Sequence, residues 1–159
     1  TLSLGALACL LNAGKADAAL ASFRDKWQDD ALVMDKWFML QVAHADPDKA
    51  AETVARLTQD PAFTMKNPNR FRSVFGAFAG HPAGFHQKDG SGYRLLADWL
   101  IKLDPINPQI TARMSGAFET WKRYDGDRQS LIADQLDRIL ATPGLSRDTT
   151  EMISRIRGA

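Results

Sequence analysis

Apolar residues recur along this chain at intervals of three and four, and the runs are punctuated by capping residues and Pro/Gly breaks. Leu4, Leu7, Leu10 and Leu11 share a helical face, and Asn12-Ala13-Gly14 ends the run. Asp17 is placed to cap a second helix with Leu20, Phe23 and Trp27 on one side. Asp30 is placed to cap a third, from Ala31 to about Ala43. Its residues Leu32, Val33, Met34, Trp37, Phe38, Met39 and Leu40 make it apolar on nearly every side, as expected of a helix in the middle of a layer. Asp46-Pro47 predicts a fourth start, with Ala50, Val54 and Leu57 as the inner face. Asp60-Pro61 predicts a turn. Asn69 is an N-cap candidate for the helix carrying Phe71, Val74, Phe75 and Phe78.

The stretch from His81 to Gly92 reads as an irregular loop. Leu95, Leu96, Trp99, Leu100 and Leu103 then mark an amphipathic helix, and Asn107-Pro108 opens another running to Lys122 or Arg123. Asp125 or Asp127 starts the helix of Leu131, Ile132, Leu136, Ile139 and Leu140, which Pro143-Gly144 stops. Ser146 caps a last helix with Met152, Ile153 and Ile156 buried. No segment alternates with period two. The pattern predicts an all-α fold of about eight or nine helices of roughly 10 to 16 residues, with antiparallel neighbours. An irregular αα-superhelix of the HEAT or armadillo kind is compatible with that rhythm.

Composition narrows the picture. The 159 residues, 45% apolar and 25% charged, suit one soluble domain, taken as residues 1–159. Twenty basic against 19 acidic residues leave a net charge of +1, which removes any global electrostatic case for nucleic acid or an acidic membrane. Apolar stretches of about ten residues fall short of a membrane span. Thr1-Leu2-Ser3-Leu4-Gly5 has no initiator Met and no basic region, so it reads as part of a longer chain and not as a signal peptide. Cys9 alone excludes an internal disulfide, and its apolar neighbours predict a buried thiol. A reduced, cytoplasmic setting is the simplest expectation.

Candidate chemistry is sparse. His81 and His86, five apart on a loop, are a poor zinc signal without H-E-x-x-H. Ser91 in Gly90-Ser91-Gly92 lacks the strand that a nucleophile elbow needs, and the same glycines lack a phosphate-loop context. Trp27, Trp37, Trp99 and Trp121 fit apolar helix faces. Lys122-Arg123 and Arg155 with Arg157 read as solvated helix ends. The set Lys66, Asn67, Asn69, Arg70 and Arg72 stands out more. Two residues apart on a helix, Arg70 and Arg72 project about 200° from each other, so one can face solvent while the other turns inward. Such donors suit carboxylates, backbone carbonyls or a peptide terminus, and ordinary surface or ion-paired arginines remain the alternative.

Several passages taken together carry a resemblance. They are Phe23–Phe38 (FRDKWQDDALVMDKWF), Phe63–Ser73 (FTMKNPNRFRS), Gly76-Ala77-Phe78-Ala79, the loop from Phe85-His86 to Tyr93, and Lys122-Arg123-Tyr124-Asp125. In order and spacing the chain resembles the C-terminal helical domain of the bacterial aminopeptidase N family, zinc metallopeptidases that remove N-terminal residues from peptides. The resemblance implies an αα-superhelix that covers the active site and shapes the substrate cavity. The family's zinc motif and its N-terminus-binding segment have no matching positions here. This chain is therefore expected to hold no catalytic residue, metal or cofactor and to be inactive alone, with zinc held in another domain of the parent. Its expected partners are the other domains of the same polypeptide and peptide substrates, with no nucleic acid and no membrane. Asn67, Asn69, Arg70 and Arg72 are expected at the cavity or interdomain face. A different class of reading is a free-standing helical-repeat scaffold that binds a protein partner.

Overall fold

A computed structural model describes residues 3–158, so Thr1 and Leu2 of the opening run lie outside the described residues. Ten α-helices are described: α1 (Leu4–Asn12), α2 (Asp17–Trp27), α3 (Ala31–Ala43), α4 (Ala50–Thr58), α5 (Pro68–Ala79), α6 (Pro82–Phe85), α7 (Ser91–Leu103), α8 (Pro108–Met114), α9 (Gly126–Leu140) and α10 (Arg147–Arg157). Short 3-10 turns occupy Pro47–Lys49, Ser115–Phe118 and Trp121–Arg123. The expected eight or nine helices are thus ten, and they span 4 to 15 residues. No strand occurs among the described residues. The chain forms two compact units, Thr1–Gly84 and Phe85–Ala159.

In the first unit α3 is the central element, packed against α1, α2, α4 and α5. Asp30 caps it by accepting from the Val33 amide at 3.1 Å, and Met34, Trp37, Phe38, Gln41 and Val42 are buried. The all-round apolar pattern leaves a remainder outside: Leu32 is 71% exposed and Met39 39%. Ala50, Val54 and Leu57 form the inner face of α4. The indole of Trp37 donates to the Leu20 carbonyl at 3.0 Å, so this ring is core with its polar atom satisfied.

In the second unit α7 packs on α8 and α9, and α10 packs on α8, α9 and the Ser115–Phe118 turn. Asp125 and Ser146 cap α9 and α10, accepting from the Arg128 and Thr149 amides. Trp121 donates its indole N–H to the Ile156 carbonyl at 2.8 Å.

Several sequence expectations are corrected here. Asn67, not Asn69, caps α5, accepting from the Asn69 and Arg70 amides at 3.1 and 3.3 Å. Pro68 fixes this register, because proline is favoured as the first helical residue. Asp17 is the first residue of α2 rather than its cap, and there its charge complements the helix dipole. Asp46 makes no capping bond, and Pro47–Lys49 forms a 3-10 turn ahead of α4. Cys9 is exposed, since α1 buries only Leu7.

The helix expected from Asn107 to Arg123 breaks into α8 and two 3-10 turns. Thr111 and Ser115 hydroxyls donate back to the carbonyls of Asn107 and Thr111, which loosens the α-ladder just before Gly116. The expected loop from His81 to Gly92 contains the single turn α6 and the start of α7.

That start depends on two glycines. Gly90 adopts φ +73°, and a Cβ built on Gly92 would lie 2.2 Å from the Phe85 carbonyl oxygen. The close approach lets the chain after α6 lie against the first turn of α7. Gly92→Ala is expected to force that backbone apart and cost about 1–3 kcal/mol, read as a lowered midpoint in urea unfolding.

Candidate functional site

The segment from Asp60 to Arg72 is held by a chain of polar contacts. Asp60 accepts from the Ala62 amide at 2.8 Å and pairs with Arg24. Burial pushes the Asp60 carboxyl up, but the Arg24 hydrogen bond and the Ala62 amide together outweigh it and leave its pKa below the usual carboxylate value. The Ala62 carbonyl in turn accepts from Arg70 Nη1. Arg70 is buried, its Nε donates to Asp35 Oδ1 at 2.6 Å, and its guanidinium lies 4.9 Å from the Phe38 ring centre. One side chain thus ties α5 to α3 and to the turn after α4.

The four residues singled out in the sequence separate into two groups. Asn67 and Arg70 are spent inside the unit, as cap and as internal ion pair. Asn69 and Arg72 lie at the surface, where Arg72 Nη2 donates to Asn69 Oδ1 at 2.7 Å. Lys66 is exposed on the preceding loop. The opposed projection of Arg70 and Arg72 is observed as their spacing predicts. The outer pair offers a pre-oriented guanidinium with donors to spare, the chemistry that suits a carboxylate.

Both ring nitrogens of His81 are engaged. Nδ1 accepts from the Gly84 amide at 3.1 Å, so Nε2 carries the proton that goes to the Ala45 carbonyl at 2.7 Å. His86 bonds the Tyr93 hydroxyl through Nδ1 at 2.7 Å. Ser91 is the first residue of α7, its amide held by Asp89 Oδ1 at 2.9 Å.

Two features escape a sequence reading. A cavity of about 410 Å³ in the first unit is lined by residues including Asn12, Gln41, His44, Lys49 and Arg56. His86, Tyr93, Tyr124 and Arg128 form a cluster in the second unit. In both, the members come from several elements and the connecting segments between them, and no local spacing brings them together.

Helix-on-helix packing within each unit, without strands among the described residues, defines an all-α protein. A family model described as "Domain of unknown function (DUF3458_C) ARM repeats" matches residues 1–158, and the chain belongs to that family. Among curated proteins, "Aminopeptidase N" of Haemophilus influenzae is 44% identical over 140 residues, covering 87% of this chain and 16% of that protein. "Aminopeptidase N" of Escherichia coli gives the same identity and coverage, and that of Caulobacter vibrioides is 42% identical over 143 residues. The crystal structure of Legionella pneumophila aminopeptidase A in complex with aspartic acid superposes with a TM-score of 0.88 at 33% identity, covering 96% of this chain and 18% of that one. These relatives bear out the likeness to the C-terminal domain of bacterial aminopeptidase N, and with the ARM-repeat family they carry the αα-superhelical fold class. The chain spans about a sixth of the length of the curated relatives, at 16% of each.

Proposed function

We propose that this chain is the non-catalytic C-terminal domain of a zinc-dependent aminopeptidase N that removes N-terminal residues from peptides. In that parent it covers the active site and shapes the cavity through which unfolded peptides enter. The observation that carries the reading is the match of nearly the whole chain to about a sixth of proteins named aminopeptidase N. Zinc belongs to another part of that polypeptide in this reading: among the described residues no three His, Cys, Asp or Glu side chains come together to hold a metal ion. The donor set here does not fit zinc, and no step of peptide hydrolysis is assigned to this chain.

What the chain contributes is enclosure and charge. Arg72, aligned by Asn69 at the surface, is the group assigned to the distal carboxylate of a peptide, with Asn67 and Arg70 holding the α5 terminus in place. The rest of the polypeptide is the partner for Leu32 and Met39, seven residues apart on one face of α3 and exposed here. The single cysteine, exposed at position 9, suits a reducing cytoplasmic setting. No described helix is long and apolar enough to cross a membrane.

The test uses the full-length parent with Arg72→Ala. The expected result is a fall of roughly tenfold in kcat/KM for short peptides with a free carboxylate, the worth of a charge-assisted hydrogen bond, and little change for aminoacyl amides that lack one. Equal values for the variant and the parent across both substrate sets would remove the role given to Arg72. A reading frame without an upstream peptidase would favour the free scaffold.

A further inference from the structure

The second unit holds a cluster for which the peptidase reading has no use. His86 stacks on Tyr124, with ring centres 4.0 Å apart and planes 19° from parallel, and meets Phe85 edge-on at 4.9 Å. Its Nδ1 lies 2.7 Å from the hydroxyl of Tyr93, a residue with no exposed surface. The backbone carbonyl of His86 accepts from Arg128 Nε at 2.8 Å, and Arg128 Nη1 pairs with Asp125 at 2.7 Å. One residue therefore joins the segment after α6 to α7, to the turn before α9 and to α9 itself.

The proton positions follow from burial. Desolvation pushes the Tyr93 phenol up to about 12, so its hydroxyl keeps its hydrogen. That buried O–H needs an acceptor, and His86 Nδ1 is the partner it has. The ring is then the neutral tautomer with its proton on Nε2.

We propose that His86 is a proton-operated latch: neutral, it fastens the 86–90 segment to α7 and to the Tyr124–Arg128 turn, and protonation releases it. A proton on Nδ1 turns an acceptor into a donor. The Tyr93 O–H then loses its acceptor inside the core, and the imidazolium stands near the Arg128 guanidinium. The groups facing the ring are Tyr93 from α7, Tyr124 from the turn before α9, and Arg128 with Asp125 at the start of α9. Lys88 follows two residues along the same segment. Asp125 does not offset the new charge, because it is already paired with Arg128 and its side chain is half exposed. Burial first, and the Arg128 charge second, hold the His86 pKa below the ordinary 6.5. The unlatched state therefore binds the proton more readily. The latch is fully closed above 6.5 and weakens as pH falls from 6.5 through the lowered value. The inference stands apart from the peptidase reading.

The test is amide hydrogen exchange with histidine NMR on the full chain between pH 7.5 and 5.0, after correction for intrinsic exchange. His86 is expected to titrate below 6.5. Amides of residues 86–93 and 124–128 are expected to open faster over the same range, by roughly tenfold for each pH unit between the closed and open pKa values. Amides of α3 and α5 serve as the reference that should not move. In His86→Gln, whose amide oxygen still accepts from Tyr93 but does not titrate, the acid response should vanish. In Tyr93→Phe the His86 pKa should move up toward 6.5. Acid-insensitive exchange in residues 86–93, or an undiminished response in His86→Gln, would overturn the latch.

Discussion

Arg70→Ala is expected to destabilise the first unit by about 3–5 kcal/mol, the cost of breaking one side of a buried ion pair. The side chains of Arg70 and Asp35 are only 9% and 14% exposed, so removal of the guanidinium leaves a carboxylate with little water to replace it. The Ala62 carbonyl loses its donor in the same step, and the Phe38 ring loses the cation over its face. Urea unfolding followed by circular dichroism checks the value. Arg70→Lys should recover only part of it, since an ammonium cannot reproduce a fork that reaches a carboxylate and a carbonyl from different nitrogens. The Asp35→Ala, Arg70→Ala double variant should cost clearly less than the sum of the two single changes. A loss below about 1 kcal/mol in the single variant, typical of surface pairs, would show that Arg70 is not the clasp described.

The second large effect is expected at Asp104, which ends α7 and is 2% exposed. Its carboxylate accepts from the Ser146 amide at 2.7 Å, the Ser146 hydroxyl at 2.6 Å and the Thr149 hydroxyl at 2.6 Å. Hydrogen bonds to a charged group contribute about 1.5–3 kcal/mol each, and three that share one carboxylate do not add in full, so Asp104→Ala is expected to cost about 3–4 kcal/mol. The same change should loosen the start of α10, because Ser146 is also its cap. Hydrogen exchange at residues 147–151 reads that part separately. Asp104→Asn should retain about half the loss, as one amide oxygen replaces two anionic ones. Unaltered α10 amides in Asp104→Ala would refute the coupling.

Legibility in the sequence followed the range of the interaction. The caps Asp30, Asn107, Asp125 and Ser146 are local devices, and each is found bonded to an amide three residues on. The inner face of α4 follows from 3.6-residue periodicity alone, as do Leu96, Leu100 and Leu103 of α7 and Ile132, Leu136 and Ile139 of α9. Leu95, Trp99, Leu131 and Leu140, by contrast, are only half-buried, and Tyr93 and Ala97 join the α7 face unannounced. Local rules also competed with one another: Asn69 has the right chemistry for a cap, and Pro68 decided for Asn67. Breaks inside a helix depended on hydroxyls that bond backward, as at Thr111 and Ser115, and periodicity does not register them. Exposure was the least legible property. Cys9 sits among leucines yet faces outward, because which side of α1 is covered depends on where α2 and α3 come to rest.

The candidate site shows the same division. That Arg70 and Arg72 point apart follows from helix geometry. That Arg70 meets Asp35 does not, since 35 positions, including the whole of α4, separate them. The partners of His86 lie at positions 93, 124 and 128, and only the folded second unit brings them to one corner.

The two anchored indoles have a practical consequence. Trp37 and Trp121 are both buried, and each belongs to a different compact unit. Phenylalanine at positions 27 and 99 would leave one tryptophan per half, so that tryptophan emission excited at the red edge, where the tyrosines do not absorb, would report whether the halves melt together or in turn.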